Sequence, residues 1–125
     1  MKTIRIGVFG LQRGAYYFDN ILANNGEIVA VCDKAQRFVD AAAGKLGGTT
    51  AGYTNFDEFI EHPMDAVFLA NYFNEHAPYA IKALEKGIHV LSECTSNGTM
   101  AEGVALVRAA RKSGAFYMLA ENYPF

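Results

Sequence analysis

Short, almost continuously apolar runs alternate along the chain with longer segments of helical spacing. The runs predict five strands and a weaker sixth, at residues 3–10, 27–33, 65–71, 88–93 and 116–122, with the weak one at 49–53. Uninterrupted apolar sequence is typical of strands buried on both faces of a parallel sheet. The segments between them predict helices at residues 15–24, 35–46, 56–61, 76–86 and 100–112.

This alternation predicts an α/β fold in which helices cover both faces of a parallel sheet. About six strands would suit the doubly wound Rossmann sheet, with the strand order 3-2-1-4-5-6. Thr99 and Glu102 have the spacing of a capping box at the start of the last helix. With 125 residues, the chain is expected to form one domain over residues 1–125.

Composition narrows the class of protein. Apolar residues make up 51% and charged residues 19%, which excludes a disordered chain. A net charge of -2 gives no electrostatic basis for binding nucleic acid. The longest apolar run, at residues 115–120, is far below the ~20 residues of a membrane helix. We therefore expect no nucleic-acid or membrane partner.

Cys32 and Cys94 make no disulfide framework, and the reducing cytoplasm is the expected location. They would end strands 2 and 5, three places apart in the predicted order, or ~14 Å at ~4.8 Å per strand. A disulfide needs Cα atoms within ~7 Å of each other. Two free thiols are predicted. No group of residues has metal-ligand spacing, so no metal site is expected.

The first strand leads through a glycine-bearing turn into a helix, an arrangement that can bind phosphate with backbone N–H groups. The dinucleotide motif Gly-x-Gly-x-x-Gly, begun at Gly10, would require glycine at positions 12 and 15. Gln12 and Ala15 occupy those positions, and Gly14 comes one place early. Alone, the turn is equally consistent with an ordinary strand–helix connection.

Asp33 ends the second strand, 23 residues after Gly10. A dinucleotide fold places its ribose-binding carboxylate ~20 residues past the glycine turn. The alternative role is a cap for the helix that starts near Ala35. A 2′-phosphate near Asp33 would meet a repulsion of up to ~4 kcal/mol per unit charge, which Lys34 and Arg37 would partly offset. NAD is therefore predicted as the cofactor, and NADP is disfavoured.

Two stretches resemble a known family: residues 65–76, DAVFLANYFNEH, and residues 83–93, ALEKGIHVLSE. They are similar to the N-terminal half of the Gfo/Idh/MocA oxidoreductases. In that family the fourth strand leads into a Thr-Pro-Asn turn, and the fifth follows Ala-Leu-x-x-Gly-x-His-Val-Leu and ends in Glu-Lys-Pro. The resemblance covers essentially the whole chain. It implies a cofactor-binding domain whose C-terminal substrate domain is absent from this chain.

The resemblance also implies roles for individual residues. The turn from Gly10 to Gly14 would hold the pyrophosphate and Asp33 the adenosine ribose. The turn after strand four and the end of strand five would lie beside the nicotinamide ribose. The implied cofactor-binding residues are Gly10, Leu11, Gln12, Arg13, Gly14, Asp33, Lys34, Asn71, Tyr72, Phe73, His76, Glu93, Cys94 and Asn122. A structural role is the alternative for His76, and a surface turn for Asn122.

This sequence departs from the family where Cys94 and Thr95 replace the lysine and proline of Glu-Lys-Pro. In the family that lysine is commonly a substrate hydrogen-bond donor. A thiol, with an unperturbed pKa of ~8.5, supplies no permanent positive charge. Cys94 is the one catalytic candidate, and its alternative is a spectator that lines the cleft.

The leading hypothesis is the cofactor-binding domain of an NAD(P)-dependent oxidoreductase. Hydride would move between nicotinamide and a hydroxylated small molecule such as a sugar or polyol. The alternatives are an NAD-dependent glycosidase, a non-catalytic NAD-sensing regulator and a Rossmann-like methyltransferase. The 125 residues alone are expected to bind NAD weakly and to turn nothing over. A homo-oligomer is expected for the full-length protein, through the edge at strand six and an exposed patch at residues 123–125.

Overall fold

The structure, a computed structural model, describes residues 1–123; residues 124 and 125, which belong to the predicted C-terminal patch, lie outside the described residues. One parallel sheet of six strands has the order β3-β2-β1-β4-β5-β6. The predicted doubly wound order is therefore confirmed. The strands are β1 (Ile4–Phe9), β2 (Gly26–Cys32), β3 (Ala51–Tyr53), β4 (Ala66–Leu69), β5 (His89–Glu93) and β6 (Tyr117–Ala120).

Helices join the strands at nearly the predicted positions. They are α1 (Leu11–Gly14), α2 (Phe18–Ala23), α3 (Gln36–Leu46), α4 (Phe56–Phe59), α5 (His76–Glu85) and α6 (Met100–Ser113), with 3₁₀ turns at Ala15–Tyr17 and Phe73–Glu75. The prediction for the first helix was wrong at its start: the chain is already helical at Leu11, directly after Gly10. The capping box is confirmed, since Thr99 and Glu102 each bond to the other's backbone N–H.

Two apolar layers lie on opposite faces of the sheet. On one face, Val8, Val31 and Phe68 pack against α1, α2 and α3. On the other, Phe9 and Val67 pack against α4, α5 and α6. This two-sided burial explains why the central strands are apolar at nearly every position. Among residues 1–123, no helix has both the length and the apolar character needed to cross a bilayer.

Arg5 and Asp65 tie β1 to the beginning of β4. The guanidinium donates to both carboxylate oxygens, at 2.8 and 3.2 Å, and the Arg5 backbone N–H donates to one of them at 2.9 Å. These bonds hold the pKa of Asp65 well below its usual range. They fix the register in which Phe9 pairs with Leu69, so the carboxyl ends of β1 and β4 lie side by side.

Candidate functional site

A cleft of about 560 Å³ opens at the carboxyl ends of β1 and β4, where the strand order changes direction. Ligands of doubly wound folds bind at this switch point, in clefts of ~300–1,000 Å³. The lining residues are Phe9, Gly10, Gln12, Arg13, Tyr16, Asp33, Lys34, Phe38, Ala70, Asn71, Tyr72, Phe73 and Glu75. Most of the residues predicted for the phosphate turn, the ribose and the turn after β4 therefore line a single cleft.

Gly10 brings the turn after β1 against the end of β4. Its φ is 87°, in the left-handed region that favours glycine. A Cβ at this position would lie 2.3 Å from the backbone nitrogen of Asn71 and 2.4 Å from the carbonyl carbon of Ala70. Only a residue without a side chain fits there, and its bare backbone forms the floor of the cleft.

Gly14 packs against β1, and its predicted contact with the diphosphate stays a prediction. It lies inside α1 with φ at -62°, is buried, and donates its N–H to the Gly10 carbonyl at 2.8 Å. A Cβ would lie 2.7 Å from Cγ1 of Val8, so glycine lets the helix pack closely on β1. Neither Gly14 nor the buried Leu11 lines the cleft.

Asp33 connects the starts of two helices at the edge of the cleft. One carboxylate oxygen accepts the Leu11 N–H at 2.8 Å, and the other accepts the Ala35 N–H at 2.9 Å. The contact with Ala35 is not a helix cap, because Ala35 is itself the N-cap residue of α3 and no side chain caps that helix. It does not displace the ribose role, because each carboxylate oxygen carries a further lone pair for a hydroxyl in the cleft.

Five residues that line the cleft were not among the predicted cofactor-binding residues: Phe9, Tyr16, Phe38, Ala70 and Glu75. Glu75 forms a 2.8 Å ion pair with Lys34. Phe38 had a detectable signal, because it is an aromatic residue of α3 that is only partly buried. Tyr16 lies in the segment predicted as the first helix and Glu75 in a 3₁₀ turn just before α5, and their local sequence does not show that either faces the cleft.

Asn71 begins the turn after β4. Its side-chain oxygen and nitrogen are both buried and have no hydrogen-bond partner among the described residues. An unpaired buried amide costs about 1–3 kcal/mol. A polar ligand group in the cleft would remove that cost, so this orphaned amide fits a site that holds a ligand.

His76 lies behind that turn and does not line the cleft. Its ring is fully buried, with Nε2 2.9 Å from the Asn71 carbonyl oxygen and Nδ1 3.0 Å from the Thr95 carbonyl oxygen. The ring thus connects the turn after β4 with the loop after β5. This geometry is that of the structural alternative for His76.

Glu93 is at the carboxyl end of β5 and binds two side chains from the first helical segment. The Tyr17 hydroxyl donates to Oε1, and Nη2 of Arg13 lies 3.2 Å from the same oxygen. The Glu93 hydrogen bond and partial burial raise the pKa of Tyr17. Arg13 lines the cleft, whereas Glu93 does not.

Cys94 and Asn122 also lie outside the cleft lining, and Asn122 is exposed. The Cys94 thiol donates to Oε2 of Glu121 at 2.9 Å. That hydrogen bond raises the pKa of Cys94. Cys94 is therefore held as a thiol, which is a weak nucleophile compared with a thiolate. Cys32, buried at the end of β2, has its pKa raised to about 12 by burial.

We expect Cys94 to react slowly with iodoacetamide near pH 8, and Glu121→Gln to accelerate the reaction. The carboxylate raises the thiol pKa, so its removal lowers that pKa and increases the reactive thiolate at the same pH. Mass spectrometry of the alkylated Cys94 peptide against pH measures this, with Glu58→Gln, an exposed position, as the control. Equal rates in the wild type and Glu121→Gln would contradict the assignment.

Comparison with known proteins identifies the fold and the cofactor class together. Residues 4–121 match the family model of the Gfo/Idh/MocA proteins, described as an oxidoreductase family with an NAD-binding Rossmann fold. The chain is similar to scyllo-inositol dehydrogenase from Lactobacillus casei, a structure with bound NAD(H) and scyllo-inositol. The TM-score is 0.88 at 26% identity, over 95% of this chain and 36% of that one.

Two curated relatives have different activities. A glycosyl hydrolase family 109 protein from Saccharopolyspora erythraea is 30% identical over 97% of this chain and 29% of its own length. A dTDP-3,4-didehydro-2,6-dideoxy-alpha-D-glucose 3-reductase from Streptomyces violaceoruber is 32% identical over 100% of this chain and 36% of its own. The chain thus spans about a third of the length of these relatives. It belongs to the Gfo/Idh/MocA oxidoreductase family and forms that family's NAD-binding Rossmann domain.

Proposed function

We propose that this chain is the cofactor-binding domain of an NAD-dependent oxidoreductase acting on a hydroxylated small molecule, such as a sugar or polyol. One observation carries the proposal: the Asp33 carboxylate is hydrogen-bonded to the first amide of α1. This bond places an acceptor for ribose hydroxyls directly beside the bare backbone of Gly10. An adenosine ribose and a diphosphate would therefore find complementary groups next to each other.

The residues of the cleft fit the two ends of the cofactor. Gly10 lines the cleft, and the exposed Gln12 and Arg13 side chains can donate to the oxygens of a diphosphate. At the other end, the unpartnered amide of Asn71 and the exposed rings of Tyr72 and Phe73 line the wall after β4. We assign them to the nicotinamide ribose and its ring.

Bound NAD would supply the carbon that accepts or donates the hydride. The residues of this chain bind and orient the cofactor. Cys94 adds no charged donor, because a thiol is neutral. It donates a hydrogen bond to Glu121 and does not line the cleft. The chain spans about a third of its relatives, so we assign substrate binding and the proton donor to a second, C-terminal domain. The full-length protein would be a homo-oligomer, and these 125 residues would bind NAD without turnover.

An NAD-dependent glycosidase is the second candidate function. It is favoured by the match to glycosyl hydrolase family 109 proteins, and another relative is named alpha-N-acetylgalactosaminidase. A glycosidase that oxidises its substrate only transiently would release sugar without accumulating NADH. A dehydrogenase would produce NADH in proportion to the substrate it oxidises.

The test of cofactor binding is a calorimetric titration of the chain with NADH, followed by displacement. We expect saturable binding of one NADH per chain, displaced by ADP and not by S-adenosylmethionine. Displacement by S-adenosylmethionine would support the methyltransferase alternative instead. Absence of saturable NADH binding at millimolar concentration would overturn the proposed function.

A further inference from the structure

The Arg13 side chain reaches from α1, which follows β1, across the carboxyl end of the sheet to the end of β5. In the strand order, β4 lies between β1 and β5. Nη2 of Arg13 is 3.2 Å from Glu93 Oε1 and 3.0 Å from the Tyr17 hydroxyl oxygen. The guanidinium carbon lies 5.4 Å from the centre of the Tyr17 ring. Tyr17 also donates to the Glu93 oxygen that Arg13 contacts. The three side chains thus form one hydrogen-bonded cluster.

The members of this cluster differ in their access to the cleft. Arg13 lines the cleft, and its side chain is 58% exposed. The Glu93 side chain is only 17% exposed and is not among the described residues that line the cleft; neither is Tyr17. Of the three side chains, the Arg13 guanidinium is therefore the one that a ligand in the cleft can contact.

Arg13 also stands in the turn that the proposed function assigns to the cofactor's diphosphate. The planar guanidinium group of an arginine can form two parallel hydrogen bonds to phosphate oxygens, as it can to a carboxylate. In this structure its charge is already paired with Glu93. The same guanidinium thus has two possible anionic partners, one within the chain and one on the ligand.

We propose that Glu93 and the diphosphate of the cofactor compete for Arg13, so that Arg13 moves from the carboxylate to the diphosphate when the cofactor binds. This inference rests on the proposed function. Arg13 is then a cofactor-binding residue, and its move leaves Glu93 without its cationic partner. Tyr17 keeps its hydrogen bond to Glu93 throughout and so holds the carboxylate in place when Arg13 leaves.

Competition predicts a gain in affinity when the competitor is removed. Glu93→Gln should tighten NADH binding about two- to fivefold, the range expected when one partner of a partly exposed ion pair is released. Tyr17→Phe should act in the opposite direction. Without the hydroxyl, Glu93 depends more on Arg13, and NADH binding should weaken about twofold.

The experiment is an NADH titration of Glu93→Gln, Arg13→Gln and the double variant. In the Arg13→Gln background, the gain from Glu93→Gln should disappear, because no guanidinium remains to be released. Glu61→Gln is the control: it makes the same charge change at an exposed ion pair with Lys86, away from the cleft. Thermal unfolding checks that each variant is folded.

The possible results separate this inference from the proposed function. Weaker NADH binding by Glu93→Gln would mean that Glu93 contacts the cofactor directly, and would overturn the proposed competition for Arg13. An equal gain in the Arg13→Gln background, or in Glu61→Gln, would show a general charge effect and would also overturn it. If Glu93→Gln does not fold, unchanged or tighter binding by Tyr17→Phe overturns it. Failure of the wild type to bind NADH would instead refute the proposed function.

Discussion

Gly10→Ala is expected to destabilise the folded chain by at least about 3 kcal/mol and to abolish NADH binding. Two costs act together. The backbone at position 10 has a φ of 87°, which an L side chain rarely adopts. The new Cβ would also come within 2.3 Å of the Asn71 backbone, which belongs to the turn after β4 and cannot rotate away like a side chain. Separating the two segments would open the floor of the cleft.

Urea unfolding measures the loss of stability, and Gly44→Ala is the matched control. Gly44 lies within α3, and a Cβ there would have no heavy atom within 4 Å. Alanine in a helix interior is favoured over glycine by about 0.8–1 kcal/mol, so this variant should be stabilised. An unfolding midpoint for Gly10→Ala equal to that of the wild type would show that the turn does not need glycine.

The strands and helices were predictable because their signals are local, and their number and alternation then indicated the doubly wound strand order. Apolar runs such as residues 66–70 show burial on both faces, and the helical spacing between runs requires parallel crossovers. The capping box at Thr99 and Glu102 depends on residues three apart and could be identified with the same ease. These features need no knowledge of what lies across the sheet.

The candidate site was predictable only in part, because its contacts join distant segments. Tyr17 and Glu93 are 76 residues apart, and nothing in their local sequence shows that they meet. Gly14 likewise packs against Val8 of β1, a contact that its place in the glycine turn does not reveal.

Asp33→Asn is expected to weaken NADH binding about 10- to 100-fold and to reduce the preference for NADH over NADPH by at least about tenfold. The ionised carboxylate is the acceptor assigned to both ribose hydroxyls, and an amide oxygen accepts less strongly. The carboxylate also repels a 2′-phosphate by up to about 4 kcal/mol per unit charge at an effective dielectric constant near 20. Lys34 offsets little of this repulsion, because it is already paired with Glu75.

The ratio of the two affinities is the sharper measurement. Asp33 also accepts the N–H groups of Leu11 and Ala35, so Asp33→Asn perturbs the starts of α1 and α3 as well as the ligand. Such a perturbation weakens NADH and NADPH alike and cancels in their ratio, whereas the 2′-phosphate repulsion does not. Asp40→Asn is the control, because Asp40 is exposed on α3 and bonds Gln36. A ratio that is unchanged in Asp33→Asn would remove Asp33 from the ribose site.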